Sequence, residues 1–152
     1  MKYLGTQLSA IILLLCTTQS ALAHCEVPCG IYNDQRRFED MLEDQETIAK
    51  GIGKIREMAG NSDPQSVNQT VRWINTKEAH ATKIQHTISQ YFMTQRLKAD
   101  KEGYAKKLAA AHAVMVAAMK CKQSAEAETA VTLKETILDF YRAYEGKEPQ
   151  LH

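Results

Sequence analysis

From Phe38 to Tyr144 the apolar residues recur at steps of three and four, and they do not alternate as strand residues would. That spacing places side chains on one face of an α-helix. Phe38, Met41, Gln45, Ile48, Ile52, Ile55 and Ala59 form a first such face, with Asn33 or Asp34 before it as a helix cap. Gly60-Asn61 stops that helix. Ser62-Asp63-Pro64 restarts the chain, with Asp63 as cap and Pro64 at the first helical position. The second helix is the longest, and its stripe runs Val67, Thr70, Ile74, Lys77, Ala81, Ile84, Ile88, Tyr91 and Gln95. Lys77 is the one charge on that face, either snorkelling at an edge or meeting an acidic or metal-bound partner. After the polar break Ala99-Asp100-Lys101-Glu102-Gly103, a third helix carries Tyr104, Leu108, Ala111, Met115 and Ala118. Ser124 is placed to cap a fourth with Val131, Leu133, Ile137, Leu138, Tyr141 and Tyr144, and Gly146 to His152 is a polar tail. Four amphipathic helices on short turns predict an all-α, antiparallel four-helix bundle.

Residues 1–23 are of another kind. Lys2 gives a positive start, Leu8 to Cys16 is almost wholly apolar, and Ala21-Leu22-Ala23 has the small-x-small pattern of a cleavage site. The apolar run is shorter than the roughly 20 residues a membrane-spanning helix needs, so a cleaved export signal is expected rather than a stable membrane anchor. Signal peptidase would leave residues 24–152 as one domain, periplasmic or secreted. Losing residues 1–23 removes Lys2 alone, so 19 basic residues against 18 acidic become 18 against 18. A neutral chain lacks the basic footprint of a nucleic-acid binder.

A cut after Ala23 makes His24 the N-terminus of His24-Cys25-Glu26-Val27-Pro28-Cys29-Gly30-Ile31-Tyr32. Within six residues that segment offers an α-amine, an imidazole, a backbone amide and two thiolates. The amine and the Cys25 amide close one five-membered chelate ring, and the Cys25 sulfur closes a second from the same amide. Cys29 supplies a fourth donor, returned by the turn that Pro28 restricts. A flat set of two nitrogens and two sulfurs suits nickel(II) or copper(II), with the His24 imidazole available as an axial ligand.

Other readings of these residues fit less well. Zinc favours a tetrahedron, commonly of four side chains, and His80, His86 and His112 are scattered as surface or core histidines would be. A redox pair on a thioredoxin-like turn has two residues between its cysteines, whereas Cys25 and Cys29 have three. A Cys25–Cys29 disulfide is chemically permissible after export, but so short a loop restrains few unfolded conformations and leaves His24, Pro28 and Gly30 without a reason. Cys121 stands alone between two lysines, as a buried structural thiol.

The pattern His24-Cys25-x-x-Pro28-Cys29-Gly30-x-Tyr32 resembles the nickel-binding hook of the nickel superoxide dismutases. The likeness continues in Met58-Ala59-Gly60-Asn61-Ser62-Asp63-Pro64 and around Ser89-Gln90-Tyr91-Phe92, and so covers the first two helices. The last two match only as helices of suitable length. The resemblance implies a homohexamer of four-helix bundles, one nickel ion per subunit, and disproportionation of superoxide to oxygen and hydrogen peroxide as nickel cycles between +2 and +3. By position, His24 would supply the terminal amine and axial imidazole, Cys25 an amide nitrogen and a thiolate, and Cys29 the second thiolate. Tyr32 and Tyr91 are the implied groups for ordering water or substrate, and Glu26 stands where the family often has aspartate. The family orients the axial imidazole with a first-helix glutamate and a nearby arginine. Here Glu39 takes the glutamate's place, with Asp40 as the fallback, and Lys77 falls where the arginine would be, without its forked geometry. The alternative function is an exported helical nickel or copper carrier or sensor without turnover. A structural bundle with an incidental disulfide is a distant third.

Overall fold

A computed structural model describes residues 34–150. Its helices are α1 (Gln35–Glu57), α2 (Pro64–His86), α3 (Tyr104–Gln123) and α4 (Ala127–Glu145), and α2 continues without a break into a π-helical segment, Thr87–Arg96. No strand occurs among the described residues. Each helix packs against its neighbours in sequence and α1 packs against α4, so the four form a closed ring. Cross-contacts run in opposite directions along every adjacent pair, with Lys77 on Cys121 and Gln85 on Met115 between α2 and α3, and Cys121 on Thr129 and Lys107 over Tyr144 between α3 and α4. Asp44 meets His80 while Asp34 meets Tyr91, and Arg56 meets Glu126 while Asp34 meets Tyr144. The architecture is therefore the expected antiparallel four-helix bundle.

The turns follow their residue chemistry. Gly60 adopts φ 88°, a left-handed conformation that costs glycine little, and ends the α1 connection. The Asp63 carboxylate accepts from the Gln65 and Ser66 amides at 3.1 and 3.0 Å, with Pro64 at the first helical position. The Asp63 carboxyl is held below its ordinary pKa, first by the Ser66 side chain and then by the Ser66 amide. Ser124 lies two residues too early to be the α4 cap. Glu126 occupies that position, and Ser124 Oγ accepts from its amide at 3.0 Å.

The core is sorted along the bundle. At the end where α1 begins, Phe38, Phe92, Phe140 and Tyr141 are fully buried and pack ring on ring. Phe38 and Phe92 centroids lie 4.9 Å apart, and Phe92 meets Phe140 edge-on at the same distance. Removing such a buried ring to alanine costs about 3–5 kcal/mol. Aliphatic residues Ile48, Ile84, Ile88, Val114, Leu133 and Ile137 fill the middle, and Ala117, Ala118, Cys121 and Ala130 bring α3 and α4 close at the far end.

Three stripes differ from the sequence expectation. Val67 and Ile74 are exposed, 48% and 39%, and so is Val71 beside them. The reason is length: α3 ends opposite Lys77, so residues 64–76 of α2 project past it with nothing from α3 to cover them. In α3 the buried line is Ala111, Val114, Ala118 and Cys121, leaving Met115 only half-buried. In α4 Val131 faces solvent, and Ala130 takes the inward position.

Candidate functional site

The residues with the strongest chemical claim in the sequence, His24, Cys25, Glu26, Cys29 and Tyr32, lie outside the described residues, as do residues 1–23. What the structure describes is the end of the bundle to which that segment is joined. Asp34, at the head of α1, sits against the π-helical segment and the last turn of α4. Its Oδ1 accepts a hydrogen bond from the Tyr91 hydroxyl, and its Oδ2 accepts from the Tyr144 hydroxyl at 2.6 Å. Arg96 donates through Nη2 to the Tyr91 oxygen at 2.8 Å, and its guanidinium lies over the Tyr91 ring, 5.0 Å from the centroid. Arg96 Nε is 3.1 Å from Asp34 Oδ1, an ion pair without an aligned hydrogen bond.

The electrostatics follow from that arrangement. Burial, and then the hydrogen bond to Asp34, push both phenols above the usual tyrosine pKa. The bond to Tyr91 is the main reason the Arg96 pKa is raised in turn. Both hydroxyls therefore stay protonated, and each has its single proton directed at Asp34. Tyr91 is nearly fully buried. At this end of the bundle it serves to hold position rather than to offer a free donor.

Arg96, Tyr144 and Asp34 also line a 330 Å³ pocket with Lys98, Lys101 and Lys107. A larger cavity of 630 Å³ runs between α1 and α4. Glu39 lines it, with Gln35 Nε2 at 3.4 Å and Arg36 Nη1 at 3.7 Å from its carboxylate. Asp40, its fallback, is held by Arg36 Nε at 3.0 Å and Arg37 Nη2 at 3.3 Å.

The structure does not bring Glu39 and Lys77 together. Lys77 lies across from Gly51, twelve residues further along α1, or about 18 Å of helix. Its side chain is 5% exposed, and the one acid it meets is its sequence neighbour Glu78, not a group across the bundle. It donates to the carbonyls of Cys121 at 2.5 Å and Lys122 at 2.7 Å, with Ser124 O at 3.4 Å and Glu78 Oε1 at 3.1 Å. Lys77 thus satisfies the open carbonyls that any α-helix leaves at its C-terminus, here those of α3.

One acid–base cluster between α1 and α2 was missed in the sequence. Buried Asp44 takes His80 Nδ1 at 2.7 Å and Lys83 Nζ at 3.0 Å on one oxygen, and its other oxygen has no partner. His80 looked isolated because its partner lies 36 residues away. Only the neighbouring stripe residues Met41, Gln45 and Ile48 hinted that position 44 would turn inward. Cys121 is a buried thiol that donates to Thr129 O, and burial pushes its pKa up, as a structural role requires. Among the described residues no group of three His, Cys, Asp or Glu side chains could hold a metal ion, and no helix is long and apolar enough to cross a membrane.

The chain matches the family model of the nickel-containing superoxide dismutases over residues 19–148, which takes in the segment from His24 to Tyr32 and all four helices. No curated protein and no solved structure matches it.

Proposed function

The chain belongs to the nickel-containing superoxide dismutases, and from that premise we infer that its metal centre is the segment His24 to Tyr32, freed by a cut after Ala23. Membership makes the protein an oxidoreductase that turns superoxide into oxygen and hydrogen peroxide, with nickel as its cofactor, one ion per subunit. The observation that carries the assignment to particular residues is the pattern His24-Cys25-x-x-Pro28-Cys29-Gly30-x-Tyr32 standing directly after Ala21-Leu22-Ala23.

The donors fit the ion by their chemistry. His24 contributes its freed amine and its imidazole, Cys25 its amide nitrogen and thiolate, and Cys29 a second thiolate. Anionic nitrogen and sulfur donors stabilise the higher oxidation state, so nickel held there supplies a one-electron couple between +2 and +3. The rest of the work falls to the chain's own groups. Two superoxide ions and two protons give one oxygen and one hydrogen peroxide, so the site must also order protons. Tyr32, inside the hook and two residues before Asp34, is the phenol we assign to that task, with Glu26 next to Cys25 in sequence and Tyr91 holding the bundle end to which the hook is joined. Glu39 is the carboxylate we assign to the His24 imidazole.

Two wider assignments belong to the same reading. The protein is exported, with signal peptidase both releasing it and creating the ligand amine. It also assembles as a homo-oligomer, a hexamer by family. The exposed line Val67, Val71 and Ile74 supports assembly, since three apolar side chains at helical spacing project beyond α3 without cover.

Cys29→Ser tests the assignment. The bundle begins at Asp34, so the variant is expected to keep its helical circular dichroism while losing superoxide turnover. A folded, active variant would remove the thiolate pair from the site.

A further inference from the structure

Asp34 occupies the cap position of α1 yet makes no side-chain cap hydrogen bond. Asp63 has the extended backbone of a capping residue (ψ 150°) and caps α2, whereas Asp34 has helical backbone (φ −68°, ψ −25°) that does not aim its carboxylate at the amides of α1. Asp34 instead turns both oxygens away from α1, to two phenols and a guanidinium on other helices.

The partner side is also specially built. Tyr91 and Arg96 are five residues apart. In an α-helix that separation places two side chains about 140° apart around the axis, where they do not meet. The π-helical turn brings them together, with Leu97 N bonded to Phe92 O at 2.8 Å and the Thr94 hydroxyl to Ser89 O at 2.8 Å, each five residues back. Such segments are rare and occur most often at functional sites. The bundle end does not depend on this polar cluster for closure, because the Phe38, Phe92, Phe140 and Tyr141 rings already fill it from below.

Position along the chain supplies the purpose. Asp34 is five residues after Cys29, so chain length alone keeps their Cα atoms within about 18 Å. We propose that Asp34, Arg96 and Tyr144, together with Tyr91, form a latch that sets the direction in which the metal-binding hook leaves the bundle, and are positioning residues for the nickel ligands. This rests on the assignment of nickel to His24, Cys25 and Cys29. The latch ties the residue just before α1 to the end of α4 and to the segment that continues α2, so the chain enters the bundle at a point fixed to three elements rather than at a fraying terminus. Ligands arriving from an anchored terminus lose less conformational freedom on closing around the ion.

The test uses the mature, nickel-loaded protein and Asp34→Asn, which keeps the shape and removes the charge and one acceptor. Helical circular dichroism, nickel(II) affinity by chelator competition and the paramagnetic resonance of the oxidised metal are read on both proteins. The latch predicts unchanged helicity, affinity lower by about 10–100-fold as for other residues that support metal ligands, and a broadened resonance. Asp34→Glu, which retains the charge, recovers most of the affinity. An Asn variant with the parent's affinity and line shape overturns the proposal. If Asp34→Asn does not fold, Tyr144→Phe, which removes only the donor to Oδ2, is read against the same two outcomes. A parent that takes up no nickel overturns the hook assignment and the latch with it, whereas a loaded, active parent beside an unaffected variant overturns the latch alone.

Discussion

Replacing Lys77 with methionine isolates the buried ammonium that holds the end of α3. The side chain is 5% exposed and makes two short hydrogen bonds, to Cys121 O at 2.5 Å and Lys122 O at 2.7 Å, while its contacts with Ser124 O and Glu78 are longer. Hydrogen bonds to a charged group contribute about 1.5–3 kcal/mol each, which sets a ceiling near 6 kcal/mol for the two. The desolvation of the ammonium offsets part of that, and methionine restores most of the stem's packing. The carbonyls left behind are at a helix end beside half-buried Lys122 and Ser124, where water can reach some of them. The expected loss is therefore about 2–4 kcal/mol, or on the order of 10 °C in Tm for a chain of this size. Urea unfolding at one fixed protomer concentration measures it, since the apparent stability of any oligomer depends on concentration. The midpoint should fall while the slope stays the same. A loss below about 0.5 kcal/mol, the range of an ordinary surface substitution, would refute the claim that Lys77 holds the end of α3.

Other consequences are as direct. Ala23→Trp should block the cut and yield a precursor without superoxide turnover; full activity in uncut protein would remove the free-amine argument. Tyr144 has its pKa raised by burial and Asp34, so the stability it contributes is complete below the unfolded tyrosine pKa of about 10 and is lost as pH rises through the folded value. Tyr144→Phe should abolish that part of the alkaline loss, seen by unfolding at stepped pH; an unchanged alkaline limb would contradict it. Ile74→Asp should give a smaller species by sedimentation velocity with helicity intact, and an unaltered assembly would mean that the exposed stripe of α2 is no subunit contact.

The helices were legible because their signals are local. Periodic apolar residues mark the faces, and Gly60, Asp63 and Pro64 mark a turn whose chemistry lies within a few residues. What escaped the sequence depends on where other elements end. Val67 and Ile74 have the spacing of core residues, but α3 stops short of them. Val131 fits the α4 stripe until Ala130 takes the inward place. Lys77 meets the last carbonyls of α3 besides its neighbour Glu78, and a run of residues gives no hint of which helix end will arrive beside it. The π-helical segment carries no compositional signal, so the meeting of Tyr91 and Arg96 was invisible, as was the turning of Asp34 away from its own helix. The hook was the reverse case. Its candidate donors are neighbours in sequence, so a set suited to nickel or copper could be proposed from spacing, and the family match takes in the same residues.

The measurement that bears most directly on the central claim is intact-mass analysis of the mature protein joined to metal analysis of the same sample. The account predicts a chain beginning at His24 that carries one nickel per subunit and turns over superoxide. A mature chain beginning elsewhere, or one whose nickel stays bound when His24, Cys25 and Cys29 are replaced, would contradict it.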